Sequence, residues 1–148
     1  MTKGKILGLS LGIFTLIFAI ILWWAQTRAY YRPMPPINSV RVGDRDFDIA
    51  DFTGIENRVN PLGLRACFRW VAPQTVLQSG APTIKAPLRS SPRWFPCFNP
   101  LMIEQAVASG QATALLAQTK DQRAFDLIVI IMQDGRGFMW RQLPKQEL

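Results

Sequence analysis

Apolar and polar positions divide the chain into one long uncharged run near the N-terminus and several shorter, patterned runs after it. Residues 6–24 (ILGLSLGIFTLIFAIILWW) contain no charged side chain. As a helix they would extend roughly 28 Å, which is close to the thickness of the bilayer hydrocarbon core. Trp23 and Trp24 end the run, as aromatic side chains do at membrane interfaces. We predict a transmembrane helix over 6–24, inserted in the lipid bilayer.

The charges beside this helix do not by themselves set its orientation. Lys3 and Lys5 precede it, and Arg28, Arg32 and Arg41 follow it, so the positive-inside rule is almost balanced. Long C-terminal domains are translocated largely regardless of charge, and disulfides persist in oxidising compartments. We therefore predict a cytoplasmic N-terminus (1–5) and a C-terminal domain outside the cytoplasm. A cleaved signal peptide is the alternative, disfavoured because its apolar stretch is shorter, about 7–15 residues.

Glycine recurs at every fourth position where the apolar run begins. Gly4, Gly8 and Gly12 form a small-residue stripe, which could dock on another transmembrane helix in a membrane-protein complex. The alternative is that these glycines have no special role, because glycine is common in membrane spans.

The segments after the helix predict a stalk and the start of a folded domain. Residues 25–39 contain three prolines and no apolar periodicity, which is typical of an extended stalk. A domain follows at 40–148, where apolar alternation around Gly43-Asp44 indicates a β-hairpin. Residues 64–70 (LRACFRW) also alternate strictly, which predicts a strand with one buried face and one basic face.

Three aspartates in this hairpin raise the question of calcium. Asp44, Asp46 and Asp48 have EF-hand spacing, but Ile49 and Ile55 occupy the positions that require glycine and glutamate. A solvated strand face is therefore the favoured interpretation.

The C-terminal half predicts one helix and three strands. Asn99 suits an N-cap, Pro100 a first helical position and Gly110 a C-terminal cap. Strand-like runs follow at 112–118, 126–133 and 136–143, and Asp134-Gly135 joins the last two as a hairpin. The middle run is apolar without alternation, so we place it mid-sheet, covered by the helix. The predicted fold class is α+β: an N-terminal transmembrane helix, then a small mostly antiparallel sheet domain with one main helix.

The two cysteines lie at the ends of a long, proline-containing loop. A disulfide between Cys67 and Cys97 would close about 30 residues and stabilise the domain by roughly 3–4 kcal/mol. One alternative is a reactive thiol whose thiolate is stabilised by Arg65 and Arg69. The other is a pair of ordinary buried cysteines. The structural disulfide is favoured, because the sequence provides no base or resolving partner for a catalytic thiol.

Positive charge is concentrated in the same region. Between residues 57 and 103 there is no acidic residue. The basic residues there are Arg58, Arg65, Arg69, Lys85, Arg89 and Arg93. Such a stretch attracts anionic headgroups or acidic proteins, and the last five are our candidate contacts for a partner or an anion. The alternative is a solvated basic surface. No nucleic acid is expected, because no DNA- or RNA-binding motif is present.

Composition excludes several catalytic chemistries. The chain contains no histidine, which removes Ser-His-Asp and Cys-His catalysis and histidine-ligated metals. Two cysteines cannot form a CxxC pair at this spacing or a four-cysteine metal site. No Walker loop or dinucleotide fingerprint occurs either. We therefore predict no metal, no cofactor and no catalytic residue.

The order of several short motifs resembles that of a known family. They are GKILG (4–8), AYY (29–31), DFxGI (51–55), RACF (65–68), WFxCF (94–98) and DGRGFxWxQ (134–142). This series is similar to a family of short, single-pass alphaproteobacterial membrane proteins that is classed only as a domain of unknown function. The resemblance implies a bacterial inner-membrane location and a domain in which Cys67 and Cys97 are characteristic. It implies no activity.

These observations favour a non-enzymatic, membrane-anchored interaction protein. Its periplasmic domain would bind a membrane-protein partner or an envelope component through the basic 58–93 region. The alternative is a membrane-tethered thiol, redox or other enzyme that uses Cys67 or Cys97. Reactivity of the cysteines in the native protein distinguishes the two hypotheses.

Overall fold

A computed structural model describes residues 2–85, 90–121 and 123–144. The chain forms two compact units, the first ending at Tyr31 and the second beginning at Arg32. The first unit is helical: α1 spans Lys3–Trp24 and continues as a π-helical turn over Ala25–Ala29. No residue of α1 is buried. Over Lys3–Ala29 this helix is long and apolar enough to cross a membrane, as the uncharged run predicts.

The helix is longer than the sequence prediction. Residues 25–29, expected to begin the extended stalk, are helical instead. Nothing in this stretch breaks a helix, and the Thr27 hydroxyl donates a hydrogen bond to the Trp23 carbonyl (2.7 Å), which satisfies its polarity within the helix. Pro33 disfavours helical backbone in the residue before it, so extended structure begins at Tyr31.

Seven strands form one curled antiparallel sheet in the second unit. The order is β1-β3-β4-β7-β6-β5, with β2 paired to β3 off that path. The strands are β1 (Tyr31–Pro33), β2 (Ser39–Val42), β3 (Arg45–Asn57), β4 (Arg65–Trp70), β5 (Ala112–Gln118), β6 (Asp126–Met132) and β7 (Arg136–Gln142). A mixed α+β domain with a mainly antiparallel sheet is therefore confirmed.

A bulge in β3 contributes to the curl of the sheet. The register of β3 against β4 shifts between Ala50 and Thr53, where Asp51 has a φ of 55°, and such a bulge bends a strand. The β2–β3 hairpin then reaches the far edge of the sheet, where the Gly43 N–H donates to the Ala117 carbonyl (2.7 Å). The hairpin was predicted, but the length of β3 was not.

Both faces of the sheet are covered. Phe68, Trp70, Val129 and Met139 belong to one continuous apolar cluster inside the curl. The opposite face, called here the outer face, carries Cys67 of β4 and the side chains of β6 and β7 that point away from that cluster. All seven residues of β6 are buried, as the unalternating apolar run predicts, and β5 and β7 flank it as expected.

Three short helices complete the domain. A 3₁₀ turn spans Pro61–Gly63, α2 spans Pro73–Leu77 and α3 spans Pro100–Ala108. The Asn99 side chain accepts a hydrogen bond from the Met102 N–H, so the predicted N-cap of α3 is confirmed. The sequence predicts that this helix covers β6, but α3 packs mainly against the neighbouring strand β5.

A short extended segment protects the edge of β5. The Leu116 N–H donates to the Pro82 carbonyl (2.9 Å), and the Ile84 N–H donates to the Ala114 carbonyl (3.0 Å). Because these bonds occupy backbone groups that would otherwise template another strand, part of the proline-containing loop serves as an edge cover. The sequence does not predict this pairing.

Candidate functional site

A disulfide fixes the proline-containing loop on the outer face of β4. It joins Cys67, which is buried, to Cys97, which is exposed. This is the pairing that the sequence favoured. Next to it the Phe98 ring packs edge-on against the rings of Phe138 and Trp140, each with a centroid separation of 5.9 Å. The segment after residue 90 is therefore held both covalently and by aromatic packing.

Arg65 lies beneath this segment and is only 7% exposed. Its guanidinium donates hydrogen bonds to the carbonyls of Leu62 (2.8 Å), Leu64 (2.6 Å) and Ser90 (2.9 Å). It also lies 5.7 Å from the centroid of the Phe98 ring. The alternation in 64–70 predicted an exposed basic face, and for Arg65 that is wrong, because the loop folds back over the first arginine of the strand. In this structure Arg65 positions the loop and does not present its charge to a partner.

Arg69 remains exposed and faces a second arginine. In the β4–β7 register it lies directly opposite Arg136, and like charges in such a pair repel. Asp134 compensates in part: its carboxylate lies 2.7 Å from the Arg136 Nε, and its carbonyl accepts a hydrogen bond from the Arg69 Nη2 (3.3 Å). A net positive charge remains at this end of the sheet.

The environment of Asp134 reflects these contacts. The backbone N–H of Arg136 donates to its carboxylate, and the Arg136 side chain adds a second hydrogen bond. Together with the charges of Arg136 and Arg69, these bonds hold the pKa of Asp134 below its usual value, against an opposing contribution from burial. Arg136 was missed as a site residue because only the strand pairing brings it opposite Arg69.

Arg93 lies in the loop that is attached to the outer face of β4, the face to which Arg69 belongs. It stands between Ser90, which is bonded to Arg65, and Cys97, which is bonded to Cys67, so its segment is tied to β4 at both ends. The Phe95 N–H donates to the Pro92 carbonyl (3.0 Å), which makes a turn with exposed Arg93 at its tip. We call Arg69, Arg93 and Arg136 the arginine face.

The other two candidate contacts are not placed in this group. Lys85 is exposed and follows Ile84, which pairs with β5. Since β7 and β6 separate β4 from β5, three strand spacings put β4 and β5 about 14 Å apart along the sheet. Arg89 lies outside the described residues. The structure thus splits the basic region that the sequence treated as one surface.

One of the three aspartates of the first hairpin, Asp46, has a partner within the hairpin. Asp46 lies 3.1 Å from the Arg41 Nε across the β2–β3 pair, and this hydrogen bond, with the Asp46 charge, raises the pKa of Arg41. Within the described ranges, no group of three or more His, Cys, Asp or Glu side chains could hold a metal ion.

Comparison with known proteins places the domain in a family. Residues 37–147, about three quarters of the chain, match a family described as "Family of unknown function (DUF6446)". The chain belongs to this family. No curated protein and no solved structure matches it.

The family match covers both cysteines and every strand of the sheet except β1. It begins at Ile37, so α1 lies outside the matched range. An added Cβ at Gly4, Gly8 or Gly12 would meet no atom within 4 Å. The predicted stripe is therefore open along the helix, and docking on another helix stays a prediction. The hydroxyls of Ser10 and Thr15 donate to carbonyls of the preceding turn, as suits a helix in an apolar solvent.

Proposed function

We propose that this DUF6446-family chain is a single-pass protein of the bacterial inner membrane that acts as a non-enzymatic accessory protein. α1 anchors it with the N-terminus in the cytoplasm, and the sheet domain lies in the periplasm. There the arginine face binds an acidic membrane-protein partner or an anionic envelope component. One observation carries the anchoring: α1 exposes a continuous apolar surface along its whole length, which a bilayer covers and water does not.

Two features of the domain support the compartment and the binding surface. A disulfide persists in an oxidising compartment such as the periplasm. Exposed Arg69 and half-buried Arg136 are opposed at one end of the outer face, an arrangement that costs stability and that an anionic partner would relieve. Arg93 adds charge on the same side. The sequence also predicts Lys85 and Arg89 as contacts, and we propose that they bind the same partner outside the arginine face.

Charge reversal tests the binding surface. The full chain would be purified in mild detergent after cross-linking in cells, as wild type, as the double variant Arg69→Glu and Arg93→Glu, and as the control Arg123→Glu. Arg123 is an exposed arginine outside the face. We expect the yield of the specific cross-linked partner to fall about tenfold or more in the double variant and to stay unchanged in the control. The reason is that close pairs of opposite charge contribute strongly to such contacts. Retention of every partner by the double variant would refute the arginine face.

A redox role is the second candidate, supported by the unequal exposure of the two cysteines. An external thiolate can approach exposed Cys97, form a mixed disulfide with its sulfur and release Cys67 as a thiolate. Alkylation of the native protein separates the two functions. In a buffer poised at the redox potential of the cytosol, the cysteines of a structural disulfide stay oxidised and are not alkylated. If Cys97 takes part in thiol–disulfide exchange, the cysteines are alkylated in the same buffer, and the extent of alkylation rises as the applied redox potential is made more reducing.

A further inference from the structure

A groove of about 1070 Å³ lies at the end of the sheet where β6 begins and β7 ends. Its walls are largely apolar and include Ile84, Leu116 and Leu143. Its lining also includes three residues with longer polar side chains, Lys120, Asp126 and Gln142. None of these residues belongs to the arginine face, so the groove is a separate feature from the surface proposed above. Its volume is at the upper end of the range of small-molecule pockets in proteins.

Asp126 is a buried carboxylate without a cation. It is 3% exposed, and its Oδ1 accepts a hydrogen bond from the Lys120 backbone N–H (3.2 Å). It forms no ion pair with any residue in the described ranges, although the chain has 17 basic residues and 10 acidic ones. Buried charges are normally paired, because an unpaired one loses its hydration without compensation.

Gln142 adds a second unmet acceptor at the same place. It lies directly opposite Asp126 in the β6–β7 register and is 8% exposed. Its Oε1 is buried and has no hydrogen-bond partner in the part of the chain that the structure describes. Most buried polar atoms in proteins are satisfied, so such an atom beside an unpaired carboxylate indicates a missing donor.

We propose that this groove binds an ammonium or guanidinium group carried on an aliphatic chain. Among the described residues that line the groove, Asp126 has no cationic partner and the Gln142 Oε1 has no donor. Both groups are acceptors, and the carboxylate favours a donor with a positive charge. The apolar walls fit the methylene stem behind such a head group, as they do for lysine and arginine side chains. The same chemistry is available from a free alkylamine and from a basic side chain of a partner protein.

Binding of defined probes to the full chain in detergent micelles tests the proposal. The probes are n-butylammonium as a free amine and acetyl-Ala-Lys-Ala-amide as a peptide-borne amine, with n-butanol and butyrate as uncharged and anionic controls. We expect saturable chemical-shift changes at the backbone amides of Asp126 and Gln142 with at least one cationic probe and with neither control. Response to the peptide alone indicates a protein partner, and response to n-butylammonium indicates a free amine. Equal response to n-butanol, or no response to either cation, would overturn the proposal.

Two variants separate binding from folding. Asp126→Asn removes the charge at nearly constant shape and should weaken cation binding at least tenfold. Gln142→Leu removes the unmet acceptor, so it should weaken binding while it raises or preserves the unfolding midpoint of the unliganded protein. Gln105→Leu, on the exposed side of α3, is the matched control and should change neither binding nor midpoint. A Gln142→Leu protein that loses stability but binds as well as wild type would assign the glutamine a purely structural role and refute the site.

Discussion

Removal of the Cys67–Cys97 disulfide should destabilise the sheet domain by a predictable amount. The bond closes a loop with a sequence separation of 30, and the loop-entropy relation then gives ~3.6 kcal/mol of stabilisation at 25 °C. A domain of this size loses roughly 4 °C of unfolding midpoint per kcal/mol, so the shift should be about 15 °C. The variant Cys67→Ala with Cys97→Ser removes the bond and places the smaller apolar residue at the buried position.

The assay is urea and thermal unfolding of the full chain in detergent, followed by tryptophan fluorescence. Arg65 and Phe98 still hold the loop in the variant, so we expect a folded domain with a lower midpoint. The oxidised wild type is compared with the reduced wild type, which should match the double variant. Because the uncrosslinked denatured chain is more expanded, the urea m-value should also rise. Equal midpoints for oxidised and reduced protein would refute the view that this bond stabilises the domain.

Three further changes test other parts of the fold. Gly137→Ala should lower the free energy of unfolding by about 2–3 kcal/mol, because the added Cβ would overlap the Phe68 ring and lie 2.6 Å from the Trp70 Nε1. The thermal midpoint measures this loss, and Gly8→Ala, where the added Cβ meets no atom, is the control. Asn99→Ala removes the N-cap of α3 and should lower the free energy of unfolding by about 1 kcal/mol, measured in urea. Asn60→Ala tests the equivalent cap of the 3₁₀ turn in the same way. Burial raises the pKa of Asp121, but hydrogen bonds from the Arg141 side chain and from the Arg123 and Phe125 N–H groups lower it overall. The pKa of Asp121 in the folded protein thus lies below the unfolded value of 3.8. Its contribution to the free energy of unfolding is therefore complete above that pH and is lost as the pH falls through the folded pKa. Asp121→Asn should flatten the dependence of stability on pH below about pH 4, and an unchanged dependence would contradict the role of the ion pair.

Local patterns in the sequence determined much of this fold. Strict alternation in 64–70 identified β4, and the unalternating apolar run identified the central strand β6. The Asn99-Pro100 and Asp134-Gly135 pairs marked the start of α3 and the turn into β7, because capping and turn chemistry depend on residues close in the chain. The cysteine pairing was also favoured, since a long loop ending at Cys97 needs an attachment.

Features that depend on contacts between distant segments were not accessible in this way. Alternation places Arg65 and Arg69 on one face, but the return of the loop to Ser90 decides that only Arg69 is exposed. Strand order likewise brings Arg136 opposite Arg69 in the middle of the sheet and places Lys85 beside the edge strand β5. The buried pair of Asp126 and Gln142 arises from the β6–β7 register, which no local pattern shows.

Anchoring by α1, with the sheet domain in the periplasm, is tested by a pair of reporter fusions at Leu148. One reporter is alkaline phosphatase, which is active only after export, and the other is green fluorescent protein, which fluoresces only in the cytoplasm. We predict alkaline phosphatase activity in the carbonate-resistant membrane fraction and no fluorescence. A fluorescent fusion without phosphatase activity would place the domain in the cytoplasm and contradict the account, and a soluble, active phosphatase fusion would show that the helix is cleaved and does not anchor the protein.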